Sequence, residues 1–315
     1  MDVLSDILDL LRFKGCVYFT TLFQGVWGVQ VPQFSKVARF HVTMSGDCWV
    51  RVDGVPQPEK LSPGDMIIVP HGAPHILSNS LDAPIQDLEH ALVESQGVQN
   101  GVFTYGSDVG RDQTRLVCGH LEYDTRFDHP LMGELPSYIA VKGAQALEFA
   151  WFHQAARLMA YEAQSRRPGH AVLAKKLTEV LFVHAMRVWQ EETKMNRGFL
   201  AALKDEGIGR SLQAMHSQVA KRWNLQGLAR EAGLSRSSFA ERFRSCLGVT
   251  PMQYLTDWRM QRAKRLLADG SEAVESIAEM VGYDSPAAFC RVFKKTVGLG
   301  PGKFRRQYRE EKVRA

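Results

Sequence analysis

The 315-residue sequence has no run of about eighteen apolar residues, so no membrane-spanning helix is expected. It has no CxxC pair. Its five cysteines, Cys16, Cys48, Cys118, Cys246 and Cys290, stand singly and in odd number. That argues against a disulfide framework or a zinc ribbon and suits a reducing cytoplasm. The start, Met1 to Gly15, carries acidic residues and lacks both a basic stretch and a small-residue cleavage site, so no signal peptide is expected. No glycine-rich phosphate loop is present, and no Ser-His-Asp or Cys-His arrangement can be inferred. What the chain does have is an apolar fraction of 45%, enough for two or three domains with sizeable cores.

Charge is unevenly spread. Residues 1–196 hold 17 Lys+Arg against 22 Asp+Glu, a balance of −5, while residues 197–315 hold 22 against 12, a balance of +10. A basic rear half suits either a polyanion partner or a well-solvated basic surface. That half also repeats itself. Leu225, Leu228, Ala229 and Gly233 recur as Val274, Ile277, Ala278 and Gly282 at a constant offset of 49. Ser235, Phe239, Phe243, Gly248 and Pro251 recur as Ser285, Phe289, Phe293, Gly298 and Pro301 at an offset of 50, one residue having entered the second turn.

Each copy reads as helix, glycine turn and second helix. The apolar positions 225, 228, 229 and 232 form one helical stripe, and the glycine supplies a left-handed stop. Ser235 and Ser285 stand where a hydroxyl caps the next helix. In that helix the phenylalanine pairs bury one side, leaving Arg236, Arg242 and Arg244, or Arg291, Lys294 and Lys295, on the other. Two such units in register, both basic outside, form a double helix-turn-helix pattern. Between them Tyr254, Leu255, Trp258, Met260, Ala263, Leu266 and Leu267 predict a spacer helix of about 17 residues, roughly 25 Å long.

Residues from about 200 to 310 resemble the DNA-binding domain of AraC-type transcription factors, and "SIAEMVGYDSPAAFCRVFKKTVGLGPGKFR" follows that family's second-motif pattern. The resemblance implies that the first turns of both recognition helices enter the groove of double-stranded DNA. By position, Arg236, Ser237, Ala240 and Glu241 then face bases from the first, with Ser238 also in the DNA-binding surface, and Pro286, Ala287 and Arg291 from the second. Arg pairs bidentately with guanine, and Glu accepts from cytosine. Pro286 and Ala287 suit positioning more than reading. Arg242, Arg244, Lys294 and Lys295 lie on a face that either touches phosphates or is merely solvated.

The front half has another texture. From Ala38 to Val69, short alternating runs broken by "SGD", "DGVPQPEK" and "SPGD" predict several strands in an antiparallel sandwich or barrel. "GDMIIVPHGAPHILSN", Gly64 to Asn79, fits G-x5-P-x-G-x2-H-x3-N and resembles the second motif of the cupin barrel. The first motif is degraded: Ser35 replaces its glycine, His41 stands first, Thr43 replaces the second His, Asp47 replaces Glu, and Gly54 closes it. The cupin resemblance covers about residues 20–95 and implies an effector pocket of His41, Thr43, Asp47 and His75. Arg115 to Val141 resembles a segment that follows the cupin barrel in one branch of the AraC-type regulators, which implies that Cys118 joins that pocket. His41, Asp47 and His75 together would suit one divalent metal such as Fe(II); metal-free pocket histidines are the other reading. Cys118 is a fourth, softer ligand, a redox thiol acting with Cys16, or a small buried apolar group. The glycine-rich stretch Glu94 to Asp112 reads as a loop.

Gln145 to Thr193 predicts two helices around "SRRPGH". The second places Leu173, Leu177, Val180, Leu181, His184 and Val188 on one repeating face, for packing onto the barrel or for pairing two copies. The expected architecture is therefore α+β. A cupin-like antiparallel β-barrel spans 1–141, a helical linker and dimerisation segment spans 142–196, and an all-α domain with two helix-turn-helix motifs spans 197–315. The expected function is a homodimeric DNA-binding transcription regulator responding to a small molecule or redox signal, with RNA polymerase as a further partner and no membrane association. The competing reading is a metal-dependent cupin enzyme fused to a DNA-binding domain. The missing second His and the replaced Glu count against it.

Overall fold

The structure, a computed structural model, describes every residue except 1, 96, 107–112, 128, 143–149, 166, 193–196 and 315. Part of the 94–112 stretch and the start of the first middle helix, 145–149, therefore lie outside the described residues. The front elements run α1 (Val3–Leu11), β1 (Lys14–Gln24), β2 (Gly28–Val31), β3 (Val37–Ser45), β4 (Cys48–Val52), β5 (Glu59–Leu61), β6 (Met66–Val69) and β7 (His75–Ser78). Then come β8 (Gln86–Asp87), α2 (Leu88–Glu94), β9 (Val98–Gln99), β10 (Val102–Tyr105), β11 (Gln113–Glu122), α3 (Pro130–Glu134), β12 (Ile139–Val141), α4 (Ala150–Gln164) and α5 (His170–Glu192). The rear is helical: α6 (Phe199–Lys204), α7 (Glu206–Ser217), α8 (Leu225–Ala232), α9 (Arg236–Leu247), α10 (Pro251–Asp269), α11 (Val274–Met280), α12 (Pro286–Val297) and α13 (Pro301–Arg314).

These elements form two compact units. A sheet unit comprises Arg12–Asp124 and Leu135–Lys194; a helical unit comprises Met1–Leu11, Thr125–Glu134 and Met195–Ala315. The chain thus passes between them four times.

In the sheet unit the strands form two sheets, ordered β12-β6-β3-β11-β1-β10-β9 and β5-β4-β7-β2-β8. Their facing sides share one core, in which Phe23, Val50, Val69, Leu77, Phe103 and Leu116 meet. The expected antiparallel barrel is thus realised as two facing sheets, and among the described residues no ladder closes them into a barrel. Two pairings, β1 with β10 and β2 with β8, are parallel. Central β3 is buried on both faces. Outside the larger sheet, α4 and α5 pack on β1. The fit is close at Gly15, where a Cβ would lie 2.7 Å from the Thr178 Cβ and 2.8 Å from the Lys175 carbonyl oxygen. Among the described residues no helix is long and apolar enough to cross a membrane.

The α5 stripe expected from the sequence splits in two. Leu181 is 0% exposed and packs inward, whereas Val180 is 49% exposed and Leu173 50%. Adjacent residues on a helix point about 100° apart, so 180 and 181 cannot share one contact. The inward face is Ala174, Thr178, Leu181, Ala185 and Val188; Leu173, Val180 and Trp151 of α4 stay outside.

In the helical unit α1 packs on α7 and α10 through Val3, Ile7, Leu10 and Leu11. Arg265 of α10 ion-pairs with Asp9 at 2.6 Å. His216 of α7 lies flat on Trp258 of α10 at 3.9 Å between ring centres, and its Nδ1 is 3.4 Å from buried Asp6.

The split face gives a direct stability test. Leu181→Ala should cost about 2–5 kcal/mol through the cavity it leaves, while Val180→Ala should cost less than about 0.5 kcal/mol. Urea midpoints of the two variants measure this, and equal midpoints would contradict the assignment of faces.

Candidate nucleic-acid interface and sheet-unit interior

The two helix-turn-helix motifs are built alike. Gly233 and Gly282 take left-handed φ of 69° and 82°. Only glycine fits the second turn, because a Cβ on Gly282 would lie 2.8 Å from the Ala220 carbonyl oxygen. Ser235 then caps α9, its hydroxyl accepting from the Ser238 backbone N–H at 3.2 Å. Ser285 caps α12 in the same way, accepting from Ala288 at 3.3 Å. Inside, Phe239–Phe243 and Phe289–Phe293 are fully buried pairs with the same centroid separation of 5.6 Å. The spacer α10 has 19 residues, about 28 Å of helix, capped by Thr250 and begun by Pro251 at its first turn.

That packing decides which side chains stay outside. Arg236, Ser237, Ser238, Glu241, Arg242 and Arg244 are exposed along α9, with Ala240 half-buried. Pro286, Ala287, Arg291, Lys294 and Lys295 are exposed along α12. Arg242 has a partner within the unit: its guanidinium donates to the Asp205 carboxylate through Nε at 2.7 Å and Nη2 at 2.5 Å. Asp205 also caps α7, accepting from Gly207 and Ile208 at 3.0 and 2.9 Å. Arg242 therefore fixes α9 to α7. Asp205 escaped the sequence reading, although an Asp directly before a helix start is a capping signal.

In the sheet unit the structure brings His41, His75 and Cys118 together. His41 sits on β3 directly across from Cys118 on β11. One hydrogen-bond chain fixes the tautomers. The Ala73 carbonyl can only accept, so His75 donates to it through Nδ1 at 2.8 Å, and His75 Nε2 is left as an acceptor. His41 Nε2–H then donates to it at 2.8 Å, which leaves His41 Nδ1 to accept from the Cys118 thiol at 3.2 Å. Burial holds His75 down at about 4 and His41 well below its ordinary value, the latter helped by His75 and Arg39. Burial pushes the Cys118 thiol up to about 12 and raises Cys16 as well. Neither cysteine is held as a reactive thiolate by its surroundings.

The structure does not bring Asp47 to this set. It lies in the turn between β3 and β4, with its side chain 45% exposed and ion-paired to Lys60 at 2.7 Å. Thr43 is fully buried, and its hydroxyl has no partner among the described residues. The residues do not fit the metal that the cupin motif implies. Only the Nε2 atoms of His41 and His75 face each other, at 2.8 Å. Cys118 lies on the other ring nitrogen of His41 and Asp47 on Lys60, so neither joins them as a third ligand. Among the described residues no group of three or more His, Cys, Asp or Glu is arranged to hold a metal ion. The enclosed space beside His41 and Cys118 is about 20 Å³ and is lined by Phe19, Phe23, Val29 and Phe103. That is room for about one water molecule.

A cupin family model matches residues 2–191 of the chain, and a helix-turn-helix domain model matches residues 228–307. A Streptomyces lividans protein described as an AraC-like transcription regulator is 29% identical over 309 residues, covering 97% of this chain and 98% of its own. The HTH-type transcriptional regulator AlkR of Acinetobacter baylyi is 27% identical over 308 residues, covering 98% and 100%. The DNA-binding domain of AdpA, solved in complex with a target DNA, is 29% identical and covers 35% of this chain and 99% of its own, with a TM-score of 0.34.

The buried histidines predict acid sensitivity. An unfolded histidine takes up a proton near pH 6.5, whereas folded His75 does so near 4 and His41 well below the ordinary value. Their contribution to stability is complete above about pH 6.5 and falls by about 1.4 kcal/mol per pH unit for each, until the pH reaches the folded values. Urea midpoints of the sheet unit at pH 7 and 5 measure this. A midpoint that does not fall would contradict the buried neutral pair.

Proposed function

Because the chain belongs to the AraC-type transcription regulators that carry a cupin domain before a helix-turn-helix domain, we propose that α9 and α12 lie in successive major-groove faces of one duplex. The observation that carries this is the matched build of the two motifs on either side of one continuous helix. Arg236, exposed at the first turn of α9, is the principal base reader, with Ser237, Ala240 and Glu241 beside it. Pro286, Ala287 and Arg291 approach the second groove, and Ser238, Arg244, Lys294 and Lys295 complete the contact with sugar and phosphate. Arg242 serves this surface by holding α9 through Asp205.

We further propose that two copies pair through the outer face of α5, around Leu173 and Val180, with Trp151 beside them. The exposure of these three side chains supports this. Sensing belongs to the interior of the sheet unit. A signal acts only through different affinities for two arrangements of the chain, and a coupling of about 1–3 kcal/mol alters DNA affinity roughly 5- to 150-fold. A covalent route supports such coupling: β1 and β11 run directly into Met1–Leu11 and Thr125–Glu134, which belong to the helical unit. The competing enzyme reading requires three converging metal ligands. A surface Asp47, and Cys118 on the far ring nitrogen of His41, leave only two.

Binding to a randomised duplex library separates readers from positioners. Arg236→Ala should relax preference at one base pair by about 1–3 kcal/mol. Lys294→Ala should weaken all sequences alike and reduce the salt slope by about one. Uniform loss in both variants would overturn the assignment of Arg236. In sedimentation, Val180→Glu should yield folded monomers; a dimer that persists removes α5 as the seam.

A further inference from the structure

Arg39 lies on β3 two residues before His41, so both side chains point between the sheets. It is 6% exposed, and its Nε has no hydrogen-bond partner among the described residues. No carboxylate of the described residues forms an ion pair with it. Its guanidinium instead lies 3.6 Å from the Phe34 ring centre and 5.0 Å from that of Tyr18. A guanidinium never gives up its charge under conditions a protein meets, and a buried, unpaired charge carries a large desolvation cost. The side chain also lines the small interior space together with His41 and Cys118.

A second unsatisfied group stands opposite. His120 on β11 is the register partner of Arg39. It is 7% exposed, and its Nδ1 likewise has no hydrogen-bond partner among the described residues. Its Nε2 is 3.2 Å from the Glu122 carboxylate. That carboxylate can only accept, so Nε2 carries a proton, and in the neutral form of the ring Nδ1 is an acceptor. The Tyr18 ring touches both residues, lying 4.7 Å from His120 between centres. Tyr18 and Phe34 are 39% and 36% exposed, so they form the outer wall of the site.

The unmet chemistry is thus one buried guanidinium N–H and one buried ring nitrogen, on register-paired residues that both touch the Tyr18 ring. A planar carboxylate satisfies the first through paired N–H donors, and a hydroxyl on the same molecule satisfies the second. We propose that the sheet unit binds a small hydroxycarboxylate, its carboxylate on Arg39 and its hydroxyl donating to His120 Nδ1. The space beside these groups holds about one water, so the occupant is small and enters only as the half-exposed Tyr18 and Phe34 rings turn aside. Its arrival touches the wall that holds the Cys118–His41–His75 chain. Arg39 escaped the motif reading, yet the period-2 rule that places His41 inside places Arg39 there too.

The site is tested on the full-length protein with glycolate, acetate and chloride at equal ionic strength. Glycolate should raise the thermal midpoint saturably and bind in calorimetry. Acetate, which lacks only the hydroxyl, should bind at least tenfold more weakly, and chloride should do no more than screen. Arg39→Met should abolish the glycolate effect while unfolding cooperatively. If that variant does not fold, His120→Phe serves instead and should bring glycolate down to the level of acetate. A glycolate effect equal to that of chloride, or one unchanged in the variants, would overturn the proposal. The consequence for DNA rests on the sensing role proposed above and is read separately. Glycolate binding with unaltered DNA affinity would leave the site standing and remove that role.

Discussion

Everything the helical unit does depends on the rigidity of α10. Nineteen residues of uninterrupted helix join the two helix-turn-helix motifs, and burial restrains that helix along its length. Tyr254, Leu255, Trp258, Met260, Ala263 and Leu267 all face inward, so α10 is clamped along its length. The same rod receives α7 and, from the front of the sequence, α1. His216 lies on Trp258 and donates or accepts with the Tyr254 hydroxyl at 2.9 Å, while α1 is held by Asp9 on Arg265. Whatever alters the seating of α1 therefore bears on the element that sets the spacing of the readers.

In the sheet unit the governing constraint is dryness. Two imidazoles and a thiol sit where each charged form is penalised, and they satisfy one another in a single direction that ends on the Ala73 carbonyl. A chain of this kind is complete without metal. Arg39 and His120 next to it are not complete, and this contrast within a few residues distinguishes groups that are finished from groups that await a partner. The cupin motif in this chain has kept its scaffold. Asn79 accepts from the Trp27 N–H at 3.0 Å and donates to the Gly25 carbonyl at 2.7 Å. A Cβ on Gly72 would collide with the Phe34 carbonyl oxygen. Of the second motif's specified residues, His75 is the one that pairs with His41 of the first.

What could be read in advance follows from what periodicity encodes. A period of 3.6 with a glycine stop states which side of a helix is buried, and both helix-turn-helix motifs were legible for that reason, down to their serine caps. The pattern carries no information about what lies across from a face. Val180 and Leu181 look equivalent in a list of apolar positions, yet Val180 stands half in solvent and Leu181 is buried on the inner side of α5. Asp47 occupies a motif position by count. It falls beyond the last residue of β3, where a turn carries it outward to Lys60. That α1 and Thr125–Glu134 pack in the helical unit depends on long-range pairing, which no local signal reveals. Arg242 was legible as basic, but its partner Asp205 lies 37 residues away.

The fixed spacing of the two readers is tested most directly by lengthening the DNA between them. Once the operator is mapped, the affinity of the protein is measured for duplexes with five base pairs inserted between the segments facing α9 and α12. Half a helical turn moves the second segment to the opposite side of the duplex, and a rod of about 28 Å cannot follow it. Affinity should fall to that of a duplex holding one segment alone. Undiminished affinity for the lengthened duplex would contradict a rigid pair of readers in successive grooves.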